Sequence, residues 1–325
     1  MRCVLERLGA GIEIILASTK PISTDYARAF ETHRVDHIGD LRALCRISKI
    51  DKLVDVSGNH QEMRRSLARE LHVADIWGDP LAGLSATSSL VWHGLKKYQN
   101  FLCNPVMVGS TPGMFLPAES AQRAYPRIGI ELNDSKEKEV RLGAFCRTAK
   151  LNLRVVRLWA DIMKNYPEAT IKFAFINSNP TSEKFVRGIF QKFGVSAERV
   201  YFLPRMDTKT YLDFLNSIDI NLGAMPEQGG ISCMDSLLMG CPYPVCDELS
   251  NTFTSSIVMK TLGLEGWVAD TVDAYRSLIE RLISELSISR SADFRESIRS
   301  RLMQSSLAKP DDVASVWNRF LRMAA

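Results

Sequence analysis

Apolar residues recur along this chain in two alternating rhythms, short unbroken runs and longer stretches with the helical period of about 3.6. Residues 12–17 (IEIILA) read as a buried strand, and 23–32 as a helix with Ser23 or Thr24 as its N-cap. A second helix is predicted over 40–50, with Leu41, Leu44 and Ile47 on one face. Residues 52–56 (KLVDV) read as a strand closed by Ser57-Gly58-Asn59, 61–71 as helix, and 73–77 as strand before the turn Gly78-Asp79-Pro80. Residues 104–109 (NPVMVG) form a candidate strand. The stretch 111–133 carries Pro112, Pro117 and Pro126 and reads as loop-rich, and the charge run 134–141 (DSKEKEVR) reads as a solvated junction.

The alternation is plainer in the second half. Strands are predicted at 140–145, 170–176, 199–203, 218–222 and 243–246. Helices are predicted at 151–164, with Leu158 and Ile162 buried, then at 182–193 ended by Gly194, 208–216, and 232–239 stopped by Gly240. Further helices follow at 251–262, 271–287, 291–304 and 311–323. Strands alternating with helices imply βαβ units and a parallel sheet, a doubly wound α/β fold with a helical C-terminal tail. The length, 325 residues, suits two domains, divided here as 1–138 and 139–325.

Composition narrows the function. Hydrophobic residues make up 46% and charged residues 24%, the balance of a globular protein. The net charge of +4 is mild, with no basic stripe interleaved with aromatics, so a nucleic-acid partner is not expected. A small positive bias does suit an anionic ligand such as a nucleotide diphosphate. The seven cysteines include no CxxC pair, which implies a reducing compartment and no structural zinc. No run of 18 apolar residues exists, so no membrane span is expected. Glu6, Arg7 and Glu13 interrupt any signal-peptide core, and a cytoplasmic location follows as an expectation.

In a doubly wound sheet, ligands bind beyond the carboxyl ends of the strands. Three segments lie there. The first, 145–150, carries Arg147 and Lys150 into a helix, where cations and free amides would meet a diphosphate. The same residues also fit a surface turn with two solvated cations. The second, 227–235, contains Gly229, Gly230, Ile231, Ser232 and Asp235. Its glycines let backbone approach a ligand, Ser232 could cap the helix or meet a phosphate, and Asp235 could accept from ribose hydroxyls. An ordinary loop capped by Ser232 fits as well. The third, 203–207, could hold a base edge or be a plain βα loop. There is no Walker A motif and no GxGxxG after the first strand. All five histidines lie within the first 93 residues, so an imidazole base would come from the N-terminal half, with His60, after KLVDV and SGN, best placed. No cluster has metal-ligand spacing.

The order of these pieces resembles the O-GlcNAc transferase (SPINDLY-like) family, which includes the bacterial adhesin N-glucosyltransferases. The resemblance rests on GAFCRTAK, LWADIMKNYPEATIKF, RVYFLPRMDTKTYLDFLNSIDINL and GGISCMDSLLMGCPYPVC, in that order, with GLEGWVADTVDAYRSLIERL in the tail. KIDKLVDVSGNHQEMRRSLARELHVADIWGDPLAG is more faintly similar to the family's N-terminal part. The resemblance implies a GT-B fold, two Rossmann-like domains of which the N-terminal, acceptor-side one is shortened. It implies an inverting, metal-independent enzyme that moves glucose or GlcNAc from a UDP-sugar to an Asn or Ser/Thr side chain of a protein. By position, Lys150 falls on the diphosphate-binding lysine, and Gly230, Ile231 and Ser232 on the phosphate loop. Asp235 falls on the ribose-binding aspartate, Met206 where backbone contacts uracil, and Tyr211 near the base. Departures are Asp79 before Pro80, Ile231 in place of a hydroxyl residue, and no counterpart of the N-terminal segment with the family's active-site histidine. Two alternatives stand beside this reading: a non-catalytic homologue that partners another glycosyltransferase or an oligomer, and a GT-B enzyme acting on a glycan.

Overall fold

The computed structural model describes residues 13–18, 24–34, 52–55, 70–74, 88–92, 105–108, 139–146, 150–175 and 179–309, with single positions at 44 and between 311 and 318. The chain divides into two compact units, Met1–Leu116 with Ser306–Ala325, and Pro117–Ser305.

In the first unit, β1 (Ile15–Ser18) leads to α1 (Thr24–Ala29) and β2 (Glu31–Arg34), and β1 pairs β2 in parallel. The helix expected over 23–32 therefore stops early. Glu31 and Thr32 pair with Ile15 and Leu16 instead, because an edge of unpaired backbone outweighs weak helix propensity. A second sheet has β3 (Lys52–Asp55), β4 (Glu70–Ala74), β5 (Ser88–Trp92) and β6 (Pro105–Val108) side by side, all parallel. Glu70 and Leu71, expected to be helical, are strand residues opposite Lys52 and Leu53. The strand β5 had no expectation attached to it.

The second unit repeats the pattern more completely. Its elements are β7 (Val140–Cys146), α2 (Leu153–Asn165), β8 (Ala169–Phe175), α3 (Pro180–Lys192), β9 (Val200–Leu203), α4 (Thr208–Ser217), β10 (Ile220–Asn221), α5 (Ile231–Leu238), β11 (Val245–Cys246), α6 (Thr254–Thr261), β12 (Val268–Ala269), α7 (Val272–Ser284), α8 (Leu286–Ser289) and α9 (Ala292–Gln304). One parallel sheet has the order β10-β7-β8-β9, and β11 pairs β12 in parallel. The Asn221 amide donates to the Pro242 carbonyl at 2.9 Å, which brings the β11–β12 pair to the β10 edge. Numbered from β7, the neighbours run 3-2-1-4-5-6, the doubly wound dinucleotide-fold order.

Burial explains why these segments form. Val140, Leu142 and Ala144 of β7 are buried, and α2 turns Val155, Trp159, Ile162 and Met163 onto the sheet. Trp159 lies 6.2 Å from Phe173, whose ring stacks on Phe202 at 5.4 Å. Each such side chain contributes about 1.5–3 kcal/mol through its removal from water. At the amino edge of the sheet the fully buried Asp219 pairs with Arg141 and Arg290, each at 2.8 Å.

Candidate functional site

The strand order creates one place where neighbouring connections leave in opposite directions, between β7 and β10. In sheets of this order ligands bind there, beyond the strands' carboxyl ends. Cys146 and Lys150 stand on the β7 side of that point, and segment 222–230 follows β10. The Lys150 Nζ lies 3.1 Å from Glu227 Oε2 in that segment. The Glu227 side chain is 58% exposed, so this pair is a surface contact that another anion can displace.

Segment 222–230 is held from below. Gln228 is buried, and its Nε2 donates to Asp247 Oδ1 at 3.0 Å, Ser250 Oγ at 3.1 Å and Ser256 Oγ at 2.9 Å. The Ser256 amide donates back to Gln228 Oε1 at 2.9 Å, and the Ser255 hydroxyl donates to the Gly229 carbonyl. A satisfied buried network of this kind fixes one loop conformation. The loop delivers Gly230 as the N-cap residue of α5, with no side chain capping the helix. Ser232 is therefore inside the first turn, and the expectation that it caps the helix is corrected. The physical reason is register: the helix begins at Ile231, so the Ser232 hydroxyl is past the position from which it could bond the second or third amide. Uncapped amides and the positive end of the helix dipole favour an anion there.

A cavity of about 270 Å³ lies at the carboxyl ends of β7, β8 and β9, lined by Phe145, Met206, Asp207 and Tyr211 among others. Tyr211 packs on Phe145 with ring centroids 4.3 Å apart. Its hydroxyl is buried without a hydrogen-bond partner among the described residues, yet sits close enough to Asp235 for the two groups to couple. Burial, with the Asp235 charge behind it, pushes the Tyr211 phenol well above its ordinary range. Burial likewise raises the Asp235 carboxyl to about 7, with the nearby Tyr211 hydroxyl acting in the opposite direction. A half-ionised carboxyl at neutral pH beside an apolar cavity suits recognition of hydroxyl groups.

The structure thus brings together Lys150, Met206, Tyr211, Gly229, Gly230, Ser232 and Asp235 beyond these strand ends. The Ile231 side chain is 54% exposed, and its backbone forms the first turn of α5. Arg147 and His60 lie outside the described residues. Four contributors carried no role in the sequence reading: Phe145 as cavity wall, and Gln228, Ser255 and Tyr243 beneath the loop. Phe145 and Gln228 sat inside the flagged segments. Ser255 and Tyr243 come from other elements, and no local pattern marks them. Among the described residues, no group of His, Cys, Asp or Glu side chains is arranged to hold a metal ion, and no helix is long and apolar enough to cross a membrane.

No protein-family model matches the chain. It is similar to the probable UDP-N-acetylglucosamine–peptide N-acetylglucosaminyltransferase SPINDLY of Solanum lycopersicum, 26% identical over 172 residues, which is 52% of this chain and 18% of that protein. The match therefore spans about a fifth of that relative's length. Among solved structures, the O-GlcNAc transferase of Thermobaculum terrenum superposes with a TM-score of 0.82 at 21% identity, over 99% of this chain and 63% of that one. The sucrose-phosphate synthase of Thermosynechococcus elongatus superposes with a TM-score of 0.62 at 12% identity, over 97% and 89%. Parallel sheets in both units, the strand order of the second and these superpositions together establish the GT-B glycosyltransferase fold.

Proposed function

We propose that this chain is a glycosyltransferase that moves glucose or GlcNAc from a UDP-sugar to an Asn, Ser or Thr side chain of a protein, with inversion and without a metal ion. The observation that carries this reading is the pairing of Lys150 with Glu227, three residues before the uncapped α5 N-terminus, together with the cavity of Met206 and Tyr211, whose tyrosine couples to Asp235 of α5. That arrangement fits a diphosphate at the helix and a base in the cavity, with Asp235 one turn into α5 for the ribose. Similarity to SPINDLY and to an O-GlcNAc transferase supports the same donor class.

On this reading Lys150 and the α5 dipole stabilise charge on the departing UDP. Preorganised positive groups of this kind lower the barrier without a covalent intermediate. Arg147 adds a second cation on the diphosphate. His60 supplies the base that takes the acceptor proton, and the acceptor binds on the N-terminal side. A cytoplasmic location belongs to the same proposal.

Calorimetric titration with UDP, UDP-glucose and UDP-GlcNAc tests the donor half. Saturable binding of UDP and at least one UDP-sugar is expected. Absence of binding by all three overturns the reading and leaves a non-catalytic partner role. Sugar transfer from the bound donor to proteins of a lysate tests catalysis.

A further inference from the structure

Tyr243 is a fully buried tyrosine in the segment just before β11, 1% exposed. Its hydroxyl makes no well-aligned hydrogen bond among the described residues, although the Ser232 and Ser255 hydroxyls lie beside it. A buried phenol in that state is unfavourable and calls for a reason. The surroundings are specific. A side-chain carbon on Gly229 would lie 2.6 Å from the Tyr243 hydroxyl, 2.3 Å from Ser232 Oγ and 3.6 Å from the Cys233 amide. One on Gly223 would lie 2.8 Å from the same hydroxyl. Two glycines therefore make room for the phenol, and the phenol, the Ser232 hydroxyl and an amide of α5's first turn converge on one point.

The neighbouring polar atoms are already committed. The Gly229 carbonyl accepts from Ser255, and the Ser232 carbonyl accepts from Ser236 Oγ at 3.0 Å. Ser236 Oγ in turn accepts from Asn221 Nδ2 at 2.7 Å. The Ser232 and Ser255 hydroxyls both stand beside the phenol; Ser255 already donates to the Gly229 carbonyl, whereas Ser232 lies in the first turn of α5.

We propose that Tyr243 is a positioning residue of the phosphate loop, whose hydroxyl donates to Ser232 Oγ when a diphosphate binds and turns the Ser232 hydrogen toward it. The inference rests on the donor-site reading above. With an anion at the α5 N-terminus, Ser232 donates outward, and its lone pairs then face the phenol. The chain Tyr243→Ser232→phosphate adds a hydrogen bond to a charged group without exposing the tyrosine.

The test uses the full chain carrying Tyr243→Phe, with UDP and uridine titrated by calorimetry and thermal unfolding recorded. UDP binding should weaken about tenfold, the effect of losing one charge-assisted contact. Uridine binding should be unchanged, since it lacks the diphosphate. The melting temperature should hold or rise, because an unpaired buried hydroxyl is removed. In a Ser232→Ala background, Tyr243→Phe should have no further effect on UDP. Unchanged UDP affinity in Tyr243→Phe overturns the inference while leaving the donor site standing. Equal losses for UDP and uridine, a fall in melting temperature that tracks the affinity loss, or additive losses in the double variant overturn it too. Failure of the wild-type chain to bind UDP overturns the donor site and this inference with it.

Discussion

At the scale of single residues, charge and burial divide the work of the site. Lys150 is one-quarter exposed, and among the described residues its ion pair is with the exposed Glu227, which on the proposed reading an incoming diphosphate displaces. Lys150→Ala should weaken UDP binding at least tenfold, about 1.5–3 kcal/mol for a charge-assisted contact. Unchanged calorimetric affinity would remove Lys150 from the site. Asp235 gives a pH signature. Its carboxyl titrates at about 7, raised chiefly by burial. A raised carboxyl contributes stability fully below the ordinary carboxylate range and loses it as pH rises through about 7. Binding that needs the ionised form, to accept from ribose hydroxyls, gains in the opposite direction. UDP affinity should rise about tenfold from pH 6 to pH 8, following the ionised fraction of a group titrating near 7. A flat profile in the wild-type chain, or the same profile in Asp235→Asn, would contradict this role.

At the scale of elements, side-chain caps fix the starts of five helices of the second unit. Asn152, Asn179, Asp207, Thr271 and Ser291 each accept a backbone hydrogen bond in the first turn of α2, α3, α4, α7 and α9. The α5, α6 and α8 helices lack such a bond, and of these α5 is the one that follows the loop whose Glu227 meets Lys150. Asn152→Ala should cost about 1 kcal/mol of stability in urea unfolding, the usual worth of an N-cap. The capped helices were legible in the sequence from their apolar period, whereas none of the five caps was read from it. The short strands were less legible. β2 (ETHR) follows a helical stretch directly and exists because β1 offers it an unpaired edge. β10 proper is Ile220–Asn221, within the predicted run 218–222, and the amides of Asp219 and Leu222 on either side also donate to β7 at Arg141 and Gly143.

At the scale of the molecule, one buried charge joins distant parts of the second unit. Asp219, just before β10, accepts from Arg141 of β7 and from Arg290 after α8. Burial would raise its carboxyl, but the hydrogen bonds from Arg290 and Arg141 outweigh that and hold it below the usual range. Its stabilisation is present at neutral pH and lost as pH falls through the folded value. Asp219→Asn should destabilise by about 3–5 kcal/mol in denaturant unfolding, because two largely buried guanidinium groups lose this counter-charge. A loss below 1 kcal/mol would show that the cluster relaxes without it. The sequence by itself determined the alternation of strands and helices, the glycine stops and the residues at strand ends, because these follow from side-chain periodicity and local backbone preference. Only the tertiary structure decided that β10 lies beside β7, that α5 opens at Ile231 with bare amides, and that Tyr243 and Ser255 stand beneath Gly229. Those outcomes depend on pairing and packing between segments far apart in the chain, which no local pattern encodes.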